Sequence, residues 1–144
     1  MLNIQNAFRQ TSLVAAIMAA SWFAGCSGDP TYEPYDREDT NTVTIPTAQG
    51  VEFKLFVREA DSFQYTWSAG RSLKFDFHGE LEGDKSGAFT SHKVGNAASD
   101  SGSLKAPFSG THGWYWENTG DQAATVTIKT DGIYDIVGET GKKH

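Results

Sequence analysis

The sequence contains a single cysteine, Cys26, among its 144 residues. An intramolecular disulfide is therefore impossible, and a metal site built on paired cysteines is excluded. Basic residues are also scarce, since 12 Lys and Arg stand against 18 Asp and Glu, for a net charge of -6. Proteins that bind nucleic acid use clustered Lys and Arg on the phosphate backbone, so this balance argues against a nucleic-acid partner.

The common motifs of catalysis are missing as well. The sequence has no Gly-x-Ser-x-Gly elbow and no His-Glu-x-x-His pair, and it shows no identifiable pair of catalytic carboxylates. Ser, His and Asp are all present, but no spacing places a base beside a nucleophile. We therefore predict that the protein is not an enzyme.

The chain begins with a pattern that is typical of a secretory signal. Residues 13–25 are almost entirely apolar or small, and Arg9 precedes them. The apolar run is shorter than the ~20 residues that a membrane-spanning helix needs. We predict a signal helix over residues 1–25, which is removed on export. An uncleaved short membrane anchor, or a plain secreted protein with an incidental cysteine, are the alternatives.

The signal ends in Phe23-Ala-Gly-Cys26, which resembles the lipobox of bacterial lipoproteins, with Phe23 in place of the usual Leu. The resemblance implies cleavage before Cys26 and attachment of fatty acyl chains to Cys26. The lipid would then anchor the protein to the membrane. Ser27 is not Asp, and by resemblance to enterobacterial sorting this favours the outer membrane, facing the periplasm. Residues 26–40 are acidic, contain two prolines and show no periodicity, so we predict an extended linker.

Residues 41–138 predict an all-β domain. Apolar side chains alternate along several short segments, including 51–57, 62–68 and 73–78. Seven to eight such segments at regular spacing are typical of an antiparallel β-sandwich or jelly roll. Turns are predicted at residues 69–72 and 118–122. Residues 79–102 predict a long loop with room for one strand over 88–94, and residues 139–144 a polar tail.

Several of these segments resemble the Golgi-dynamics (GOLD) β-sandwich: 51–57, 65–67, 75–77, 113–118 and 126–128. More closely, Asp76-Phe-His-Gly79 and Gly110-Thr-His-Gly-Trp-Tyr-Trp116 resemble a group of small proteobacterial membrane-anchored envelope proteins of unknown function. Members of that group carry a longer N-terminal spanning helix, whose place is taken here by the short signal and Cys26. The GOLD resemblance implies a non-catalytic adaptor that binds other proteins.

The candidate binding residues are His78, Glu80, His92, His112 and Trp114, which we expect at one polar edge near the long loop. The function predicted is binding of another envelope protein or a ligand. The first alternative is a periplasmic accessory protein for a divalent metal, if His78 and His112 converge at one end of the sandwich. Histidines that merely cap strand ends beside a solvated acidic loop are the other interpretation. No further cofactor is predicted.

A glycan-binding module is the second alternative, because Trp114, Tyr115 and Trp116 could stack on sugar rings if they were exposed. Side chains alternate along a strand, so Trp114 and Trp116 share one face and Tyr115 takes the other. If that shared face is the core, only Tyr115 remains outside.

Overall fold

A computed structural model describes residues 30–140, and this part of the chain consists of six antiparallel β-strands without a helix. The predicted signal helix over residues 1–25 and Cys26 lie outside the described residues. The strands are β1 (Tyr35–Ile45), β2 (Gly50–Val57), β3 (Ser62–Leu81), β4 (Thr90–Lys105), β5 (Gly110–Glu117) and β6 (Ala124–Thr140). The prediction of an all-β, antiparallel domain is confirmed.

The sheet closes on itself. Its strand order is β1-β6-β2-β5-β3-β4, and β6 pairs with β3 as well as with β2. The strands β6, β2, β5 and β3 therefore form a closed, barrel-like ring, while β1 and β4 extend the sheet beyond it. The strands number six where seven to eight were predicted, because the long strands β3 and β6 each take in two predicted segments.

The prediction of a turn at residues 69–72 is wrong, since these residues lie within β3. The ladder between β3 and β4 shifts register between Ser68 and Leu73, so an irregularity takes the place of a turn. The predicted loop over residues 79–102 is also mostly strand, and only residues 82–89 join β3 to β4. Backbone hydrogen bonds to β3 hold β4 in place, and these require no apolar periodicity.

Two other boundaries differ from the prediction. β1 begins at Tyr35, so the last six residues of the predicted linker, 35–40, are strand. β6 runs through Thr140 and so includes the first residues of the predicted tail. Asp39 of β1 accepts a 2.9 Å hydrogen bond from the Tyr134 hydroxyl of β6, and a search for apolar alternation does not detect a polar residue such as Asp39.

The core lies inside the closed sheet, where the alternating side chains meet as predicted. Trp67, Trp114 and Trp116 are fully buried, and Trp67 packs edge-on against Trp116 with ring centroids 5.7 Å apart. Phe53 and Val126 are buried from the neighbouring strands. The three indole N–H groups have no hydrogen-bond partner among the described residues, so these rings stabilise the domain by packing.

Candidate functional site

Two His-Gly pairs lie side by side at the centre of the candidate site. His78-Gly79 is on β3 and His112-Gly113 is on β5, and the antiparallel register pairs His78 with Gly113 and Gly79 with His112. Each histidine is therefore opposite a residue without a side chain. Consecutive side chains point to opposite faces of a sheet, so His78 and His112 project from different faces.

On the outer face, Gly113 separates Lys54 of β2 from His78 of β3, and both are its cross-strand neighbours. The two side chains meet above it, with Lys54 Nζ 2.6 Å from His78 Nε2. A Cβ at Gly113 would lie 2.0 Å from the carbonyl oxygen of Phe53 and 2.8 Å from Lys54 Cα. The close approach of β5 to β2 therefore requires glycine at this position.

Two carboxylates complete the outer cluster, which we define as Glu52, Lys54, His78 and Glu80. Lys54 Nζ lies 3.6 Å from Glu52 Oε1 and 3.3 Å from Glu80 Oε1. The side chains of Glu52, Lys54 and His78 are each 4% exposed, whereas that of Glu80 is 31% exposed. The Lys54 ammonium group and its two carboxylate partners are thus largely withdrawn from water. Removing one member of such a buried group lowers stability, because it leaves a buried charge without a partner.

The backbone fixes the tautomer of His78. Its Nδ1 lies 3.1 Å from the carbonyl oxygen of Asp76, so we assign the proton to Nδ1, which donates to that oxygen. Nε2 is then free to accept from Lys54 Nζ. A histidine held in this way presents a lone pair toward Glu52 and Glu80, as metal-ligating histidines do.

The outer cluster has the composition of a divalent-metal site. One ligand atom from each of Glu52, His78 and Glu80 lies within 4.8 Å of the others. One imidazole with two carboxylates suits several first-row divalent ions. Lys54 Nζ already supplies a positive charge among these atoms, so an incoming ion would have to displace it.

A second pair of histidines lies on the inner face. His112 is fully buried, its Nε2 is 3.0 Å from the carbonyl oxygen of Phe108, and its Nδ1 is 3.0 Å from His92 Nε2. A Cβ on Gly79 would lie 2.5 Å from His112 Nδ1, so Gly79 leaves room for this ring. The β3–β4 register shifts between Phe77 and His78, which leaves His92 without a direct partner, as in a β-bulge.

Burial lowers the pKa of His112 from its ordinary value of 6.5 to about 4. The hydrogen bond to the Phe108 carbonyl acts in the opposite direction and raises this pKa, but burial has the larger effect. The nearby positive or ionisable groups His92, Lys54 and His78 lower this pKa further. Burial also lowers the pKa of His92. We therefore assign both imidazoles as neutral at pH 7, with His112 Nε2–H donating to the carbonyl and His92 Nε2–H donating to His112 Nδ1.

The structure thus divides the predicted site residues into two groups. His78 and Glu80 belong to the outer cluster, and His92 and His112 form the inner pair. The arrangement in which His78 and His112 share one metal is not found, because their rings lie on opposite faces. Trp114 is fully buried in the core, so its assignment as a ligand-binding residue is corrected.

Sequence reasoning missed Glu52 and Lys54. They alternate with apolar residues of β2, a pattern that is typical of a solvated face, yet both are only 3% exposed. The signal that could have pointed to them is the glycine after each histidine, since a glycine in a strand often marks the close approach of another group. Of the three aromatic residues considered for glycans, Trp114 and Trp116 are buried and only Tyr115 is partly exposed.

A cavity of about 270 Å³ lies where β3 ends and the 82–89 loop begins. Leu81 and Phe89 line it and are 53% and 56% exposed, and the half-buried Phe108 lies beside them. The ring of Phe89 also lies over His78, with centroids 5.0 Å apart. Exposed apolar side chains therefore lie next to the outer cluster at this end of the domain.

Residues 30–140 contain no helix that is both long enough and apolar enough to cross a membrane. No protein-family model matches the chain, and comparison with the curated proteins finds no similar sequence.

Proposed function

We propose that the chain is a lipid-anchored protein of the bacterial cell envelope whose β domain binds another envelope protein without catalysing a reaction. The lipobox-like sequence ending at Cys26 supports the anchor. The absence of Asp after Cys26 supports the outer membrane, with the domain in the periplasm. A GOLD-like sandwich is part of this proposal. The antiparallel all-β character of the domain is consistent with it, although six strands, four of them in a closed ring, are fewer than expected.

The observation that carries the binding proposal is the free edge of β4. This 16-residue strand ends the sheet and, among residues 30–140, pairs only with β3. It contains no proline, and its Val94 is 66% exposed. An open edge offers a row of backbone donors and acceptors to an extended segment of a partner, and strand addition is a recurrent mode of protein recognition.

A photoreactive amino acid tests this surface in cells. Placed at Val94, it should give one covalent adduct with an envelope protein; placed at the exposed Gln122, in the turn before β6, it should give none. Equal adducts at both positions, or none at Val94, would contradict the proposal. Mass spectrometry of the mature N-terminus tests the anchor separately, and Cys26→Ser should abolish the acyl mass.

The outer cluster favours a second candidate function, that of a periplasmic accessory protein for a divalent metal. The support is the convergence of Glu52, His78 and Glu80. Titration calorimetry with Zn²⁺, Cu²⁺ and Ni²⁺ should show one site that His78→Ala removes and His92→Ala retains. Lys54→Met should tighten binding, because it removes the competing ammonium. Absence of binding by the wild-type domain below millimolar metal would eliminate this candidate.

A further inference from the structure

The exposed large hydrophobic residues are unevenly distributed over the described domain. There are five of them in residues 30–140: Tyr35, Leu81, Phe89, Val94 and Ile133. Val94 lies on the free edge strand β4. Single exposed apolar residues are common on protein surfaces, so their number carries no argument. What matters instead is where the other four residues lie in the domain.

The sheet register places these four at one end of the domain. Tyr35 of β1 pairs with Tyr134 of β6, which directly follows Ile133. The next residue of β6, Asp135, pairs with Phe56 of β2. Val57, which follows Phe56, pairs with Gly110, and Gly110 pairs in turn with Leu81 on β3. Neighbouring strands are about 4.8 Å apart, so Leu81 lies about 10 Å from the end of β2.

The loops at this end are joined to one another by hydrogen bonds. Ser109 accepts from the backbone N–H of Glu82 through its carbonyl oxygen, and from that of Glu59 through its hydroxyl, each at 2.9 Å. The 82–89 loop, which carries Phe89, is therefore connected to the loops after β2 and before β5. The cavity lined by Leu81, Phe89 and Phe108 opens at this end.

Tyr32 and Glu33, near the start of the described residues, pack at the same end of the domain. Tyr32 stacks on Phe56 with ring centroids 5.3 Å apart, and Glu33 accepts a 3.0 Å hydrogen bond from Arg58. The polypeptide is thus attached to the domain from Tyr32 onward, well before the end of the predicted linker at residue 40. Only six residue steps separate Cys26 from Tyr32, and an extended chain of that length spans at most about 20 Å.

We propose that the end of the domain carrying Leu81 and Phe89 lies against the lipid surface in which Cys26 is anchored. This inference rests on the proposed lipid anchor, and the short attachment at Tyr32 makes lipid the occupant. The exposed charged residues in the loops at this end are of both signs, Glu59, Glu82 and Asp84 against Arg58 and Lys85, and they do not form a basic patch. Contact is therefore made through apolar side chains rather than through attraction to anionic headgroups, and it depends on the tether, which holds the domain at a high local concentration.

The single cysteine provides a direct test. Residues 26–144, produced without the predicted signal so that the Cys26 thiol stays free of lipid, are coupled through that thiol to a maleimide lipid in phosphatidylcholine vesicles that carry brominated acyl chains, which quench nearby Trp emission. Phe89→Trp adds an exposed reporter at the proposed contact, and Val94→Trp adds one elsewhere. The native Trp67, Trp114 and Trp116 are buried and serve as a common background.

We expect the emission of the Phe89→Trp variant to fall by at least half on coupling and to remain quenched at high salt, with no change for Val94→Trp. Equal quenching of the two variants, or none for Phe89→Trp, would overturn the proposed orientation. A photoreactive residue at Phe89 that captures a protein in cells, and no lipid, would overturn it as well.

The coupled vesicles separate this proposal from the anchor on which it rests. Unquenched Phe89→Trp on coupled vesicles refutes the contact alone and leaves the anchor standing. A mature N-terminus without acyl chains refutes the anchor itself, and with it the contact in the cell.

Discussion

Protonation of His112 should destabilise the domain on acidification. Its imidazole is fully buried, and protonation of Nδ1 would place a hydrogen against the N–H of His92 3.0 Å away. The pKa of His112 is about 4 in the folded chain, compared with 6.5 as its ordinary value. The unfolded chain therefore binds the proton more tightly, and the free energy of unfolding falls as the pH drops from 6.5 toward 4.

The size of this effect follows from the two pKa values. A factor of ten in proton affinity corresponds to about 1.4 kcal/mol, so the full loss between them is about 3 kcal/mol. Between about pH 7.5 and about pH 5 the same linkage gives about 2 kcal/mol. The stabilisation is fully present above pH 6.5. This is a large part of the 5–15 kcal/mol typical of a domain.

Urea denaturation of the mature domain over this pH range measures the loss. The matched variant is His112→Gln, which keeps a polar side chain but cannot take up a proton. We compare the slope of unfolding free energy against pH, so a uniform loss of stability in the variant does not affect the result. Burial also lowers the pKa of His92, so part of the pH dependence remains in the variant.

The reasoning would be refuted if His112→Gln lost as much stability between these pH values as the wild type does. A wild-type domain whose stability rises on acidification would contradict even the sign, since it would require a folded pKa above 6.5.

Three further substitutions test the packing. Gly113→Ala should destabilise the domain by more than about 3 kcal/mol, because the added Cβ would meet the backbone of the adjacent strand at Lys54. Gly70→Ala is the control: a Cβ added there has no other atom within 4 Å, so the melting temperature should change little. Trp116→Ala should cost about 3–5 kcal/mol in urea denaturation, and a smaller cost would place the ring outside the core. Asn118 is fully buried and donates to two backbone carbonyls, so Asn118→Ala should cost about 1–3 kcal/mol, and an unchanged unfolding midpoint would show these hydrogen bonds to be unimportant.

Local pattern predicted the core of this domain well, because burial on one face of a strand imposes a period of two. Phe53, Phe75 and Val126 lie inside as expected, and the turn at residues 118–122 separates β5 from β6. The pattern failed for β4. This edge strand is rich in Gly and Ser and buries little, so its pairing with β3 leaves no periodic trace.

The candidate site was predicted only in part, for a related reason. His78 and Glu80 were chosen for their chemistry, and both are in the outer cluster. Glu52 and Lys54 occupy positions of β2 that alternate with apolar residues, where solvent exposure is the usual expectation. They are buried because β5 presents Gly113 between β2 and β3, and that neighbour is fixed by register between strands about sixty residues apart.

The sequence by itself determined which side chains face the core, since alternation is a property of any extended chain. It also carries the lipobox-like pattern on which the proposed anchor at Cys26 rests, because such a pattern is local. The tertiary structure alone decided that His112 pairs with His92, that Lys54 meets His78, and that Leu81 lies at the end where Tyr32 packs on Phe56. Each of these depends on the order and register of the strands, which bring together residues that no local pattern connects.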